Sequence, residues 1–187
     1  GLAGSLVPQQ KYTEAITLLK RVANASPQDF DAMSQLAQVL TWTKRYAEAE
    51  PYYRRALTIQ PQNAAIWTSW GESLSFDKDP RAKSAFLGAL KAAPNYTRAR
   101  LGLGNLYLWN TEYEDAQNAF EMVLAREPDN LVALIGLGDA LSFTRKQSDA
   151  VPYYQRALKI APQNLSAQLG LGRALVQSKR EKEGLPY

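Results

Sequence analysis

Residues 47–57 read AEAEPYYRRAL and residues 148–158 read SDAVPYYQRAL, so nearly the same segment occurs twice in one chain. The repetition also includes five prolines spaced by 34, 33, 34 and 34 residues: Pro27, Pro61, Pro94, Pro128 and Pro162. A constant period of this length predicts a solenoid built from one supersecondary unit. Alignment on the prolines predicts four full units, with position 1 defined as the first residue of each: 30–63, 64–96, 97–130 and 131–164.

Each unit contains two helical patterns. In the first, helix A, large apolar residues lie four apart, as Leu36 and Leu40 do, so that they share one helical face. A small residue follows the first of them, and a glycine there costs about 1 kcal/mol of helix propensity, which a close helix crossing must offset. These small residues are Ala37, Gly71, Gly104 and Gly138. In the second pattern, helix B, an aromatic residue such as Tyr53 lies between two alanines and fills the groove between adjacent helices.

The junction between units has its own signals. Proline ends helix B because it lacks an N–H and forces the preceding residue toward extended geometry. Two residues later, a side chain suited to cap the next helix is predicted at Asp29, Asn63, Asn130 and Asn164. The third junction places Tyr96 at this point, so Asn95 or Thr97 is expected to substitute.

The composition excludes several kinds of site. The chain has 187 residues and contains neither cysteine nor histidine, so the usual zinc and haem ligands, thiol nucleophiles and imidazole bases are missing. We therefore expect no catalytic residues, no metal site and no cofactor. The net charge of +4 comes from 22 basic and 18 acidic residues in mixed order, whereas DNA binding favours a basic stripe. We therefore expect no nucleic-acid partner. We also expect no membrane span, because no apolar run reaches the roughly 20 residues that a span requires.

These features resemble the tetratricopeptide repeat, whose pattern recurs over essentially the whole chain. The resemblance implies an all-α fold, a right-handed α-solenoid of antiparallel helix pairs in which residues 1–187 form a single array. Both ends are predicted to stop inside a repeat, at residues 1–29 and 165–187, and residues 184–187 match the opening of a helix B. We therefore expect a fragment of a longer array whose uncapped terminal repeats self-associate.

The resemblance also implies a partner-binding groove lined by helix A, at positions that include 9 and 13. Position 9 is polar, and position 13 is aromatic in all four full units. The candidate groove residues are Gln38, Trp42, Glu72, Phe76, Asn105, Trp109, Asp139, Phe143 and Arg173. Aromatic rings beside amides and carboxylates suit a flat ligand face, of a sugar or an extended peptide. The alternative is that the aromatic residues only pack beneath the turn into helix B, which is the commoner fate of aromatic residues at helical spacing.

Two functions follow from the resemblance. The first is a non-catalytic scaffold that binds a protein segment in its groove as part of a longer assembly. The alternative is a periplasmic segment of a bacterial exopolysaccharide or cellulose export protein, bridging a synthase and an outer-membrane pore and contacting the polymer, with the periplasm favoured over the cytoplasm. Chaperone-tail adaptors of the family carry basic and amide residues at positions 5 and 9. Position 5 of this chain holds neither type, so we do not expect that function. The position-5 residues are Ser34, Thr68, Leu101, Ile135 and Leu169.

Overall fold

The computed structural model describes residues 9–178, and every regular element within that range is an α-helix. The chain divides into two compact units, Gly1–Tyr96 and Thr97–Tyr187. Their boundary coincides with the predicted boundary between the second and third full repeats. The all-α helical repeat fold predicted from the sequence is therefore confirmed.

Each unit contains consecutive helices joined by short turns. In the first unit they are α1 (Gln9–Ala25), α2 (Phe30–Trp42), α3 (Tyr46–Ile59), α4 (Ala64–Phe76) and α5 (Ala82–Ala92). In the second unit they are α6 (Thr97–Trp109), α7 (Tyr113–Leu124), α8 (Leu131–Phe143), α9 (Gln147–Ile160) and α10 (Leu165–Gln177). Within each unit, every helix packs against the next one in sequence, and each A helix also contacts the next A helix: α2 with α4, α6 with α8, and α8 with α10.

The helices α2, α4, α6, α8 and α10 each begin at the first residue of a predicted repeat. The first described helix, α1, spans Gln9–Ala25 and is the helix B of the truncated first repeat. The predicted helix B opening at residues 184–187 lies outside the described residues.

The predicted N-caps explain why the A helices begin where they do. The side chains of Asp29, Asn63, Asn130 and Asn164 accept hydrogen bonds from the backbone N–H groups of Ala32, Ile66, Ala133 and Ala167 at 2.9, 3.1, 3.0 and 2.9 Å. Each bond satisfies one of the otherwise unpaired donors of the first helical turn. At the third junction α6 begins at Thr97, whose hydroxyl donates to the Glu127 carboxylate.

The turn from helix A to helix B has one conformation in all four full repeats. A non-glycine residue at position 15 takes a positive φ: Lys44 (60°), Lys78 (58°), Thr111 (62°) and Arg145 (60°). In the first of these turns, the Lys44 N–H donates to Thr41 O at 2.9 Å and the Arg45 N–H to Leu40 O at 2.8 Å. This is the Schellman pattern, which satisfies the last carbonyls of helix A and reverses the chain for helix B.

In the second unit, the aromatic residue of each helix B occupies a gap between glycines of two A helices. A Cβ placed on Gly104 would lie 2.8 Å from Cε1 of Phe120, and one on Gly136, in the next A helix, would lie 2.6 Å from Cε2. Tyr154 has the same relation to Gly138 and Gly170. The close crossing predicted at Gly104 and Gly138 is confirmed, whereas the glycines on the other side of each ring were not predicted.

Candidate functional site

The aromatic residues at position 13 are the last residues of α2, α4, α6 and α8 and are largely exposed. Their exposed fractions are 53% for Trp42, 59% for Phe76, 62% for Trp109 and 58% for Phe143. More than half of each side chain is open to solvent, because helix A ends there and the chain turns away.

Two of these rings are held from one side. Phe76 stacks on Tyr46 with ring centroids 6.3 Å apart and an interplanar angle of 26°. Phe143 stacks on Tyr113 at 5.1 Å and 16°. Each tyrosine is the first residue of helix B in the preceding repeat, so a repeat fixes the ring of its neighbour. Such stacks order the ring while leaving much of its surface available for contact.

The tyrosines were missed by the sequence analysis, although a signal was present. Tyr12, Tyr46 and Tyr113 occupy equivalent repeat positions, and Gln147 follows in the fourth full repeat. At that repeat the aromatic pair is replaced by a polar one, since the Gln147 amide donates to the Gln177 side-chain oxygen at 3.3 Å. The same pair of positions is therefore in contact in both units.

The polar residues at position 9 lie on the same A helices. Gln38, Glu72, Asn105 and Asp139 are half-buried, and Arg173 is exposed. In the second unit they belong to α6, α8 and α10, which contact one another in order. Position 9 is about one helical turn before position 13 on each helix, so polar and aromatic groups share one side of helix A.

Asp139 has a structural partner of its own. The hydroxyl of Tyr154, the buried aromatic residue of helix B, donates to Asp139 Oδ1 at 2.7 Å and lies 3.4 Å from Ser142 Oγ. Burial raises the pKa of Asp139 above its ordinary value, while the Tyr154 hydrogen bond and the positive charge of Arg173 act in the opposite direction. Burial also raises the pKa of Tyr154, and the negative charge of the Asp139 carboxylate raises it further. One oxygen of Asp139 is thus engaged within its own repeat.

The equivalent tyrosine of the first unit is satisfied differently. The Tyr53 hydroxyl lies 3.0 Å from Thr41 Oγ1, which is 3.1 Å from Ser73 Oγ on the next A helix. All three groups are buried. Buried hydroxyls need such partners because an unpaired polar group in the core is costly.

Residues 9–178 offer neither a metal-binding cluster nor a membrane-spanning helix. The described residues contain no group of three or more acidic, histidine or cysteine side chains placed to hold a metal ion. Among the same residues, no helix combines the length and hydropathy of a membrane span.

Comparison with known proteins agrees with this geometry. A tetratricopeptide repeat model matches residues 6–69 and 80–137, and a second tetratricopeptide repeat model matches residues 143–187. The chain belongs to the tetratricopeptide repeat family. The repeating helix pairs described above are therefore tetratricopeptide repeats.

Three known proteins are similar to this tetratricopeptide chain at low sequence identity. The general transcriptional corepressor trfA of Dictyostelium discoideum is 29% identical over 123 residues, which cover 64% of this chain but only 9% of that protein's length. PilW, a type IV pilus biogenesis factor, superposes with a TM-score of 0.78 at 21% identity, covering 94% of this chain and 83% of PilW. YrrB, whose structure is described as having an unusual peptide-binding site, has a TM-score of 0.72 at 15% identity, covering 90% of this chain and 87% of YrrB. At these identities the two structural matches show a shared fold.

Proposed function

We propose that this tetratricopeptide chain is a non-catalytic scaffold that binds a segment of a partner protein along its A helices. The observation that carries the proposal is the exposure of the position-13 rings, each of which has more than half of its side chain in solvent. Exposed aromatic residues at one repeat position, with polar side chains one turn away, are typical of protein-binding surfaces, where aromatic residues are enriched and tryptophan is frequent among the residues that dominate the binding energy.

The partner envisaged is an extended or helical segment. Within each unit, aromatic rings at the ends of successive A helices offer apolar contacts at the spacing of the repeats. The position-9 residues, an amide or a carboxylate in all four full repeats, offer hydrogen bonds to the segment's backbone or side chains. The peptide-binding site named for YrrB, which shares the fold, agrees with a partner of this class.

Quantitative affinity enrichment from the source cells would test the proposal. Wild-type protein would be compared with a Trp42→Ala/Phe76→Ala variant and a Trp109→Ala/Phe143→Ala variant. The matched control is Leu87→Ala/Met122→Ala, which removes helix B side chains of comparable exposure, 47% and 52%. Partners lost from either position-13 variant and kept by the control would support the proposal. The same partners bound by every variant would refute it.

A second candidate function is the periplasmic segment of an exopolysaccharide export protein. The observation that favours it is the exposed ring faces of Trp42 and Trp109, since sugars stack on such faces. Titration with soluble β-glucan and poly-N-acetylglucosamine oligosaccharides, followed by tryptophan fluorescence, would test it. A saturable change that is lost in Trp42→Ala/Trp109→Ala would support polymer binding. A fluorescence spectrum unchanged by either sugar would refute it.

A further inference from the structure

The first unit contains an open cleft beside the first of the position-13 rings. Its volume is about 490 Å³, and it lies between α1 and the end of α2. Tyr12, Thr13 and Ile16 line it from α1, and Trp42, Thr43, Lys44 and Arg45 line it from the end of α2 and the following turn. Ile16 is only 4% exposed and gives the cleft an apolar base. We call this feature the α1–α2 cleft.

Other repeats show what occupies the equivalent place. The repeat positions of Tyr12 and Trp42 correspond to those of Tyr46 and Phe76, whose rings stack on each other at 6.3 Å. They correspond equally to Tyr113 and Phe143, which stack at 5.1 Å. Within the described residues, Tyr12 and Trp42 form no such stack, and both rings line the cleft instead. The cleft therefore lies where two aromatic rings stack at the equivalent positions of other repeats.

The charged residues that line the cleft are all positive. Its lining includes the cations Lys44 and Arg45 and no acidic residue. Arg45 is already engaged, because its Nε and Nη2 donate to the Glu48 carboxylate at 2.6 and 2.8 Å. Lys44 is exposed and forms no ion pair with any residue in the range 9–178. Lys44 lies in the turn that follows α2, where its φ is positive. A lysine that lines the cleft without an ion pair to a described residue favours an anionic group on the ligand.

We propose that the α1–α2 cleft binds an aromatic side chain of the partner segment, and that an acidic residue adjacent to it in the partner's sequence pairs with Lys44. The aromatic ring fills the space that a tyrosine–phenylalanine stack fills elsewhere in the chain, against Tyr12, Trp42 and Ile16. The carboxylate provides the charge that the lining lacks. This inference rests on the proposed function and adds the chemistry of one contact within it.

The test uses short synthetic peptides and NMR of the full 187-residue chain. The probe is acetyl-Glu-Phe-Glu-amide, and the comparisons are acetyl-Glu-Leu-Glu-amide, which lacks the ring, and acetyl-Lys-Phe-Lys-amide, which reverses the charge. The signal is the indole N–H resonance of Trp42, assigned by its loss in Trp42→Phe. We expect saturable shifts with the first peptide and affinities about tenfold weaker with the other two, because each lacks one of the two contacts.

Matched substitutions locate the contact. Lys44→Glu is expected to abolish binding of acetyl-Glu-Phe-Glu-amide, whereas Lys78→Glu, at the same repeat position beside a closed stack, is expected to leave it unchanged. Equal binding of the leucine peptide, or equal losses from Lys44→Glu and Lys78→Glu, would overturn the inference. Shifts caused by an acidic oligosaccharide such as trigalacturonate, without shifts from any peptide, would overturn it as well and assign the cleft to a glycan.

The enrichment experiment separates this inference from the proposed function. If no peptide shifts Trp42 but partner capture still depends on Trp109 and Phe143, only the cleft inference fails. If partner capture is unchanged by substitution of all the position-13 rings, the scaffold proposal fails, whether or not the peptides bind.

Discussion

Gly136→Ala adds a single methyl group at the point where α8 meets the buried ring of α7. The new Cβ would lie 2.6 Å from Cε2 and 2.7 Å from Cε1 of Phe120, whereas carbon atoms in contact are normally about 3.5–4.0 Å apart. The ring has no free side to move toward. Phe120 is fully buried, and a Cβ on Gly104, on its other side, would already be 2.8 Å from the same ring.

Two opposing contributions set the magnitude. Overpacking of this kind costs about 1–3 kcal/mol, and alanine gains about 1 kcal/mol of helix propensity over glycine. We therefore expect Gly136→Ala to lower the free energy of unfolding by up to about 2 kcal/mol. In a Phe120→Leu background the clash is relieved, so the same substitution is expected to raise the free energy of unfolding by about 1 kcal/mol.

Urea-induced unfolding of the four proteins of this double-mutant cycle, followed by circular dichroism, measures both effects. The packing argument predicts a change of sign between the two backgrounds. Stabilisation by Gly136→Ala in both backgrounds to the same extent would refute it, because helix propensity alone would then explain the substitution.

Three further substitutions test the turns, the caps and one ion-pair cluster. Thr111→Gly relieves a β-branched residue at φ 62° and is expected to raise the unfolding free energy by about 1 kcal/mol; a lower Tm would contradict this. Asn130→Ala removes the cap on the Ala133 N–H and is expected to cost about 1 kcal/mol, whereas Asn130→Asp should retain most of the stability. The Arg45 and Lys20 side chains lower the pKa of Glu48 from 4.5 to about 2. The stabilisation from Glu48 is therefore present above about pH 4.5 and is lost as the pH falls toward 2. Glu48→Gln should flatten the dependence of stability on pH in that window, and an unchanged slope would refute the assignment.

The features that the sequence predicted well are those that the repeat imposes locally. The start of α8 at Leu131 follows from a proline three residues earlier and from a capping asparagine. Both signals act within one helical turn, so tertiary context does not override them. The burial of Tyr53 follows from its two flanking alanines by the same local reasoning.

The exposure of the position-13 rings could not be predicted in this way. Periodicity assigns a residue to a helical face, but it does not show how far a neighbouring element extends over that face. Phe143 is partly covered by Tyr113, a residue thirty positions earlier at the start of another helix. Gly136 was missed for a similar reason, since its neighbour Phe120 belongs to the preceding repeat. The chemistry of the partner depends on contacts outside the chain.

Site-specific photo-crosslinking in the source cells tests the central claim most directly. A benzophenone amino acid would replace Phe76 or Phe143 at position 13, and Leu87 or Met122 on helix B as matched exposed positions. The scaffold account predicts crosslinks to a shared partner protein from position 13 and none to that partner from helix B. Crosslinks to the partner only from the helix B positions would contradict it.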